Sequence, residues 1–379
     1  MRRVLFTAST YSHIVNFHRP YLREFKRRGW QVDVACGGSA MAIPEADHVI
    51  HIPFEKSMAS IQNANAMLRL RRLIHSRRYE LVSCHTSLAS FFTRMAVRGM
   101  WRRPKVVCTV HGYLFVDGSP GKDQVLLGGA EALAAPVTDL LLTMNSWDDQ
   151  YARAHKLGRR IAKIPGVGVD FSRFTPVSEE ERRHIRASLG FGPDAFLLVY
   201  AAEFSERKSQ KVLIRALSEL PDNVGLLLPG RGGLLDECKD YAENLEVSRR
   251  VVFPGQIADM NPWYAAADCA VSSSRSEGLP FNIMEAMYCG LPVVATDVKG
   301  NRDLVRSEQT GLLFPFGDDN KCAQQIMRLI EEPELAGRLA KAGQDAMRPY
   351  SLETVLPQIL DQYNRLIPLG VPMREPVSV

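Results

Sequence analysis

The sequence lacks most of the short motifs by which nucleotide and metal enzymes are recognised. Its 379 residues contain no Gly-x-Gly-x-x-Gly turn, no Gly-x4-Gly-Lys-Ser/Thr loop and no Asp-x-Asp pair, and neither Cys-x-x-Cys nor His-Glu-x-x-His occurs. A dinucleotide-dependent dehydrogenase, a P-loop nucleotide hydrolase and the common kinds of zinc site are therefore poorly supported. The partial glycine turn PGRGG, residues 229–233, is interpreted as structural.

Long apolar runs are also missing, since no segment approaches the ~18 apolar residues that a membrane span requires. The N-terminal stretch MRRVLFTASTYSHIV begins like a secretory signal. Polar residues interrupt it from Ser12 onward and no small-residue cleavage site follows, so we interpret it as a first strand. The seven cysteines are scattered singly, mostly in apolar runs such as VVCTV. We therefore expect reduced core cysteines and a cytoplasmic protein.

Acidic residues are scarce in the first part of the chain. The whole sequence carries a net charge of +5, but residues 1–168 contain 24 Lys and Arg against 12 Asp and Glu, whereas the remainder contains 23 against 30. This asymmetry predicts an anionic partner for the first half.

Short aliphatic runs alternate with helical patterns along the whole chain, which predicts parallel sheets covered on both faces. A chain of this length exceeds the ~250–300 residues at which one core usually divides, so we expect an α/β fold with two doubly wound domains and a ligand cleft between them. We assign residues 1–168 to the first domain, 169–190 to a linker, 191–347 to the second domain and 348–379 to a C-terminal helix. The predicted strands are VLFTAS, VDVAC, HVIHIP, LVSCH, KVVCTVHG, LLLTM and IAKIP, then FLLVYAAEF, VGLLLPG, RVVFPG, CAVSSS, PVVATD and GLLFPF.

The stretch SRSEGLPFNIMEAMYCG, residues 274–290, places two glutamates around a predicted helix start. Glu277 lies in the loop before the helix and Glu285 lies about one turn inside it. Backbone N–H groups at a helix start attract phosphate, and carboxylates accept hydrogen bonds from hydroxyl groups. A nucleotide-sugar, with a diphosphate between two hydroxyl-rich rings, matches this layout. The alternative is ordinary complementarity between an acid and the helix dipole.

This block resembles the glutamate-x7-glutamate signature of the family 4 glycosyltransferases, which are retaining enzymes with the GT-B fold. The resemblance continues through AEFSERKSQKVLIRAL and RVVFPGQIADMNPWYAAAD in the second half. In the first half, LVSCHTSLASFFTRMAVR, VVCTVHGYLFVDGSP and IPGVGVDFSRF are similar to the subgroup that assembles bacterial capsular and exopolysaccharide repeat units. The GT-B resemblance implies two Rossmann-like domains and a last helix that crosses back to the first domain.

The resemblance also implies roles for individual residues. Glu285 corresponds to the glutamate that accepts from the ribose hydroxyls, Glu277 to the one at the donor sugar, and Lys208 to a lysine that neutralises the diphosphate. His111 corresponds to a histidine that faces the sugar across the cleft. Further donor contacts are implied for Gly278, Leu279, Pro280 and Phe281 around the diphosphate and sugar, and for Gln256 and Ile257 near the base.

Two features depart from the family pattern. An arginine that usually precedes the lysine is replaced by Glu203, and the neighbouring Arg207 is a candidate replacement. The glycine-rich loop after the first strand is missing; STYSHIVNFHRP stands there, and Ser12, His13 and Asn16 are candidates for the acceptor side. Each of these polar residues could equally be a loop, cap or surface residue.

The implied activity is transfer of a hexose-type sugar from a UDP-sugar to a lipid-linked glycan on undecaprenyl diphosphate, with retention at the anomeric carbon. We expect no metal and no cofactor, because Lys208, Arg207 and the helix start can stabilise the leaving diphosphate. Two alternatives stay open: a nucleotide-sugar 2-epimerase of similar architecture, and a scaffold subunit that keeps the fold without catalysis.

Basic residues in MLRLRRLIHSRRY and FFTRMAVRGMWRRPK are interleaved with aliphatic and aromatic ones, including Trp101. Such segments suit an anionic membrane surface, and no nucleic-acid-binding motif is present. We therefore expect a peripheral protein at the inner face of the cell membrane, with a solvated basic face as the alternative. The candidate membrane residues are Arg69, Arg71, Arg72, Arg102 and Arg103. Near the C-terminus, RPYSLETVLPQILDQYNRLI has a helical apolar stripe for the returning helix.

Overall fold

The computed structural model describes residues 1–55, 57–58, 60–115 and 121–372. The chain divides into two compact units, the first formed by Met1–Gly168 together with Glu353–Val379 and the second by Val169–Leu352. Each unit is an α/β domain in which helices alternate with parallel strands. The boundary after Gly168 coincides with the predicted end of the first domain.

The first unit is built on a parallel sheet of short aliphatic strands. Within the described residues they are β1 (Arg3–Ala8), β2 (Gln31–Cys36), β3 (His48–His51), β4 (Leu81–His85), β5 (Lys105–Thr109), β6 (Leu140–Thr143) and β7 (Ile161–Lys163). The strand order is β3-β2-β1-β4-β5-β6-β7. Strands β1, β2 and β4 are buried almost throughout, as expected where helices cover both faces. The edge strand β3 is largely exposed and begins and ends with histidine.

Helices connect these strands and cover the sheet. They are α1 (Tyr11–Phe17), α2 (Arg19–Arg27), α3 (Ile61–Arg77), α4 (Ser87–Val97), α5 (Gly121–Ala134) and α6 (Ser146–Ala154), with a 3-10 turn at Ala135–Val137. Polar caps define where two of them begin. The Ser60 side chain accepts from the Gln62 N–H before α3, and the Asn145 side chain accepts from the Asp148 N–H before α6.

The second unit repeats this design. Its described strands are β8 (Phe196–Val199), β9 (Val224–Leu227), β10 (Val251–Val252), β11 (Cys269–Ser272), β12 (Val293–Thr296) and β13 (Leu312–Phe314), in the order β10-β9-β8-β11-β12-β13. Its helices are α7 (Glu179–Ser188), α8 (Gln210–Ser218), α9 (Leu235–Asn244), α10 (Asn261–Ala266), α11 (Phe281–Tyr288), α12 (Asn301–Leu304), α13 (Asp319–Glu331) and α14 (Pro333–Asp345). Short 3-10 turns occupy Phe171–Arg173, Ser248–Arg250 and Arg348–Tyr350.

Both sheets reverse their strand order beside their first strand. Strand β1 lies between β2 and β4, and strand β8 lies between β9 and β11. Ligands of such sheets bind beyond the carboxyl ends of the strands at this point. Every strand predicted from the sequence is found in the structure, so the α/β prediction is confirmed, and the loops after β1, β4, β8 and β11 are where a site is expected.

The expectation of a linker over residues 169–190 is wrong. This segment contains the turn Phe171–Arg173 and helix α7, and it belongs to the second unit. Arg182 donates to the carboxylate of Asp268 at 2.6 Å, and the buried Arg186 pairs with the same carboxylate. Ion pairs therefore hold this charged helix against its unit, and its polar composition made it look like a linker.

The last described helix, α15 (Leu352–Leu366), returns to the first unit, as the family resemblance implies. Its buried residues are Val355, Ile359, Leu360 and Tyr363. The Tyr363 hydroxyl lies 2.6 Å from the Ser83 Oγ on β4, so the end of the chain contributes to the core around the first sheet.

All seven cysteines are free thiols, and six of them are buried. The predicted core position is therefore confirmed for these six. Among the described helices, none has the length and apolar character needed to cross a bilayer.

Candidate functional site

The predicted strand–loop–helix segment of the second unit is present. Strand β11 is fully buried and a loop leads from it to α11, which begins at Phe281 after Pro280. Gly290 ends the helix with a φ of +80°, a conformation that favours glycine. Gly300 lies so close to this loop that a Cβ there would come within 2.7 Å of the Glu277 carbonyl oxygen. The loop therefore packs against backbone that has no room for a side chain.

The carboxylate of Glu277 holds two cations from the loop after β8. Lys208 Nζ donates to its Oε1 at 2.5 Å, and an Arg207 N–H donates to its Oε2 at 2.9 Å. The Ser274 hydroxyl also donates to Oε1 at 2.5 Å. Since β8 and β11 are neighbours at the point of order reversal, these residues meet where the topology predicts a ligand. We call Arg207, Lys208 and Glu277 the donor-side cluster.

The donor-side cluster is charged although Glu277 is only 7% exposed. Burial alone raises the pKa of the Glu277 carboxyl. The charges of Lys208 and Arg207 and the hydrogen bonds from Lys208 and Ser274 outweigh that effect, so the pKa lies below its ordinary value of 4.5. Lys208 is itself fixed through its carbonyl oxygen, which accepts from Ser273 Oγ at 2.9 Å. The cluster presents two oriented cations at one edge of the sheet.

Glu285, one turn inside α11, has a different environment. Its Oε2 accepts a hydrogen bond from the hydroxyl of the buried Tyr264 at 2.9 Å. Burial raises the pKa of the Glu285 carboxyl, and the Tyr264 bond and the charge of Arg173 reduce this effect only in part. The carboxylate has one oxygen engaged by the phenol, and a carboxylate can accept several further bonds from hydroxyl donors.

The remaining predicted donor contacts lie on two loops of the second unit. Gly278, Leu279 and Pro280 are buried in the loop before α11, and Phe281 is half-buried at its first position. Gln256 is exposed and Ile257 half-buried in the loop after β10. All of them follow carboxyl ends of strands in one parallel sheet. Their roles toward a donor stay predictions.

The replacement of the family arginine has a structural explanation. Glu203 is exposed, and its described bond is made by the backbone, whose carbonyl oxygen accepts from Gln210 Nε2 at 2.8 Å. Arg207 contacts Glu277 and the carbonyl oxygen of Ser276, so it supplies the second positive charge beside Lys208. Whether this charge meets a diphosphate stays a prediction.

In the first unit, four histidines meet at the other point of order reversal. We call His13 and His18, from α1 and the residue after it, and His85 and His111, from the ends of β4 and β5, the histidine cluster. His13 Nε2 lies 3.2 Å from His111 Nε2 and 3.3 Å from His18 Nε2. His85 Nδ1 lies 3.3 Å from His111 Nε2. The sheet thus brings together residues separated by up to 98 positions.

The environment of the histidine cluster favours the neutral form of each ring. Burial lowers the pKa of His13 to about 4. Burial, followed by the neighbouring imidazoles, also lowers the pKa values of His18, His85 and His111 well below their usual 6.5. The cluster therefore carries lone pairs rather than positive charge at neutral pH.

The other first-unit candidates, Ser12 and Asn16, lie on a helix. The segment after β1 forms helix α1, not a glycine-rich loop, because its apolar residues Tyr11 and Ile14 are buried at helical spacing. Ser12 and Asn16 are exposed on this helix, and Ser12 Oγ contacts Thr10 Oγ1 at 3.0 Å. Their assignment to the acceptor, and that of His111 to the sugar, stay predictions.

The candidate membrane arginines divide into two groups. Arg69, Arg72 and Arg102 are exposed, and Trp101 beside them is 98% exposed. Arg72, Trp101 and Arg102 border a cavity of about 490 Å³. We call these four residues the basic patch. An exposed aromatic among cations is the pattern expected of an interfacial surface.

The other two arginines have structural partners, and their assignment to a membrane surface stays a prediction. Arg103 forms a bidentate ion pair with Asp139, with N–O distances of 2.5 and 2.8 Å. Arg71 donates to the carbonyl oxygens of Ala96 and Arg98 at the end of α4. These guanidinium groups stabilise the first unit, and their bonds could not be predicted because the partners lie 25 to 36 residues away.

Sequence reasoning missed three residues of these sites. Tyr264 orients Glu285, and His18 and His85 complete the histidine cluster. A signal for His85 was present: LVSCH, like KVVCTVHG, places a histidine at or just after a predicted strand end, and such ends meet at one edge of a parallel sheet. Nothing local in NPWYAAAD marks Tyr264.

Comparison with known proteins gives consistent results for both halves. Residues 21–200 match the sequence family described as Glycosyltransferase Family 4, and residues 181–346 match the one described as Glycosyl transferases group 1. The EpsD protein of Bacillus subtilis (strain 168) is 35% identical over 370 residues, which cover 96% of each chain. An Escherichia coli UDP-Gal:alpha-D-GlcNAc-diphosphoundecaprenol alpha-1,3-galactosyltransferase is 25% identical over 289 residues, or 74% of each chain.

Solved structures agree in fold. HepE of Anabaena, crystallised with UDP and glucose, has a TM-score of 0.80 at 21% identity over 96% of this chain and 100% of its own. Sucrose-phosphate synthase from Thermosynechococcus elongatus also has a TM-score of 0.80 at 21% identity, over 97% and 99%. At this identity the likeness establishes the two-domain GT-B architecture.

Proposed function

Because the chain belongs to the family 4 glycosyltransferases and is therefore a glycosyltransferase, we propose that it moves a hexose-type sugar from a UDP-sugar to a glycan carried on undecaprenyl diphosphate. Transfer proceeds with retention at the anomeric carbon, without a metal ion and without a cofactor. The reaction serves the assembly of an exopolysaccharide or capsule.

The observation that carries this proposal is the donor-side cluster. Cleavage of the sugar–phosphate bond leaves an anionic diphosphate and a positively charged sugar, so the leaving group needs cations in fixed positions. Lys208 and Arg207 are held on Glu277 beside the start of α11, where backbone N–H groups add a partial positive charge. Two cations and a helix start can replace the divalent ion that other transferases use.

The two glutamates take separate roles in this proposal. Glu285, oriented by Tyr264, accepts from the ribose hydroxyls of the nucleotide. Glu277 positions the donor sugar and keeps Lys208 and Arg207 in place. The acceptor hydroxyl attacks the anomeric carbon on the face that the diphosphate leaves, the bond from that carbon to the phosphate oxygen breaks, and the hydroxyl proton passes to the same phosphate oxygen.

The acceptor assignment has separate support. The E. coli relative is named for a substrate carried on diphosphoundecaprenol, and the basic patch of the first unit suits a surface of anionic lipids. We propose that the protein binds peripherally to the inner face of the membrane through this patch. Each basic residue near such a surface contributes about 1 kcal/mol.

A panel of nucleotide-sugars, offered with and without an undecaprenyl-diphosphate-linked acceptor, tests the proposal. We expect UDP release that depends on the acceptor and is lost in Glu277→Gln. A 2-epimerase would instead change the sugar without acceptor and without releasing UDP. A scaffold subunit would bind nucleotide and turn over nothing. Release of GDP from a GDP-sugar would overturn the choice of donor.

A further inference from the structure

The geometry of the histidine cluster matches a metal site, separate from the donor-side cluster of the second unit. In tetrahedral zinc sites the Zn–N distance is 2.0–2.1 Å, which places the ligand nitrogens about 3.3–3.4 Å apart. Three nitrogen pairs of the cluster lie at 3.2, 3.3 and 3.3 Å. All four ligand atoms lie within 4.8 Å of one another, so modest rotation of the rings would close the remaining edges.

Hydrogen bonds among the rings cannot account for all three contacts. The contacts form a chain from His18 through His13 and His111 to His85. Each ring nitrogen offers either one hydrogen or one lone pair. Each nitrogen can therefore take part in one hydrogen bond, so at most two of the three contacts between these four atoms can be separate hydrogen bonds. A cation at the centre would instead engage a lone pair from every ring.

The surroundings of His85 have the form of a second shell. Its Nδ1 points into the cluster while its Nε2 lies 2.9 Å from Ser83 Oγ, which in turn lies 2.6 Å from the Tyr363 hydroxyl. With the Nε2 hydrogen donated to Ser83, the Nδ1 lone pair faces the cluster. Metal-ligating histidines are characteristically oriented by such a bond at their other nitrogen.

We propose that His13, His18, His85 and His111 bind one divalent transition-metal ion of the zinc type. The group consists of imidazole nitrogens, with no carboxylate or thiolate among its members. Imidazole suits Zn²⁺, Cu²⁺, Ni²⁺ and Fe²⁺, whereas Mg²⁺, Ca²⁺ and Mn²⁺ prefer oxygen. The bound ion ties α1 and the residue after it to the ends of β4 and β5.

Metal binding to the full chain, prepared without a histidine tag and stripped by a chelator, tests this proposal. We expect one Zn²⁺ per chain by calorimetry, unaffected by excess Mg²⁺, and a rise in thermal midpoint on binding. Co²⁺ in the same site should give the visible bands of a tetrahedral nitrogen-ligated ion. His13→Ala removes a half-buried ligand and should weaken Zn²⁺ binding more than the roughly 10–100-fold expected for loss of an outer-shell partner. Ser83→Ala should weaken it within that range.

His184→Ala, which removes an exposed histidine of the second unit, is the matched control and should bind Zn²⁺ like the wild type. Wild-type protein that binds no Zn²⁺ would overturn the proposal, and so would His13→Ala protein that binds it undiminished. If a variant fails to fold, the wild-type Co²⁺ spectrum decides: octahedral bands overturn the site and tetrahedral bands support it. These readouts do not involve sugar transfer, so they stand apart from the function proposed above.

Discussion

The hydroxyl of Tyr264 donates to the Oε2 of Glu285 at 2.9 Å, and this bond fixes the carboxylate on the first turns of α11. The phenol comes from α10, next to the loop where the base of a nucleotide is expected to bind. A carboxylate held in this way has its second oxygen oriented before a ligand arrives. Glu285 is therefore oriented to accept hydrogen bonds from a ligand. Glu277 instead forms ion pairs with Lys208 and Arg207.

This difference predicts different effects of two substitutions, one on UDP affinity and one on turnover. Glu285→Ala should weaken UDP binding by ~1.5–3 kcal/mol, about tenfold to a hundredfold, because it removes a charged acceptor for the ribose hydroxyls. Glu277→Gln should reduce turnover strongly while leaving UDP affinity nearly unchanged. Calorimetry with UDP and steady-state kinetics on both variants provide the measurements.

Tyr264→Phe is a useful companion because it keeps Glu285 and removes its orienting bond. It should cause a smaller loss of UDP affinity than Glu285→Ala. Equal losses of affinity in the Glu277 and Glu285 variants would void the assignment of their roles.

Transfer should not depend on hard divalent cations. If Lys208, Arg207 and the start of α11 stabilise the diphosphate, activity should survive EDTA and should not change when Mg²⁺ or Mn²⁺ is added back. The assay is UDP release from the donor found in the nucleotide-sugar panel. An enzyme silenced by chelation and restored by Mg²⁺ or Mn²⁺ would contradict the proposed mechanism. Zn²⁺ is left out of the add-back because it is the probe for the histidine cluster.

The stability that Glu277 provides should depend on pH. Its pKa in the folded protein lies below 4.5, so its contribution is present above that value and is lost as the pH falls through the folded pKa. At pH 7, Glu277→Gln should lower the free energy of unfolding by about 1–3 kcal/mol, since it replaces the charged acceptor of Lys208, Arg207 and Ser274 with a neutral amide. The gap between wild type and variant should narrow on acidification.

Urea unfolding of both proteins from pH 7 to below pH 4 measures this gap. The raised pKa of Glu285 acts in both proteins and cancels in the difference. A gap that stays constant or widens toward low pH would show that the Glu277 ion pairs do not stabilise the folded state.

Binding to anionic lipid should require the basic patch. The wild-type protein should sediment with phosphatidylglycerol vesicles at low salt and be released at high salt. Replacing Arg69, Arg72 and Arg102 with glutamate should abolish sedimentation and leave UDP affinity unchanged, and Trp101→Ala should weaken it.

Arg103→Glu is the matched control for this experiment. Because Arg103 is paired with Asp139, its replacement should lower the thermal midpoint. Most of the vesicle binding should remain. Wild-type protein that ignores anionic vesicles at low salt would refute the membrane assignment.

Truncation should show that the last helix belongs to the first core. Deletion from Arg348 onward removes the buried residues of α15 and exposes the apolar surface that they cover, so we expect an insoluble protein. Deletion of residues 373–379 keeps all of α15 and should give soluble protein. Expression and size-exclusion chromatography compare the two. A soluble and active Arg348 truncation would show that α15 is dispensable.

The sheets and the donor-side loop could be predicted because their signals are local. Buried strands are short runs of aliphatic residues, and the Glu277–Glu285 block carries its glycine, proline and helix start within seventeen letters. Helix α7 was missed because ion pairs from Arg182 and Arg186 to Asp268 hold it, and such pairs leave no apolar periodicity. The ion pair of Arg103 could not be predicted for a related reason: its partner Asp139 lies 36 residues away, just before β6.

The histidine cluster also depends on residues that are far apart in the sequence. His13 and His18 lie near β1, while His85 and His111 lie far along the chain, and the register of three parallel strands brings them together. Sequence reasoning could place each histidine near a strand end. It could not tell that the rings would face one another.

The return of α15 to the first unit has a consequence for synthesis on the ribosome. Tyr363 and the Leu369 carbonyl, which bind Ser83 and Trp30, emerge only after the whole second unit has been made. At the usual ~5–20 residues per second, the segment Val169–Leu352 delays them by roughly 10–40 s. During that interval the apolar surface that α15 later covers stays exposed, and we expect the nascent N-terminal domain to need chaperones that shield such surfaces. Synthesis of the first domain thus begins before that of the second domain and ends after it.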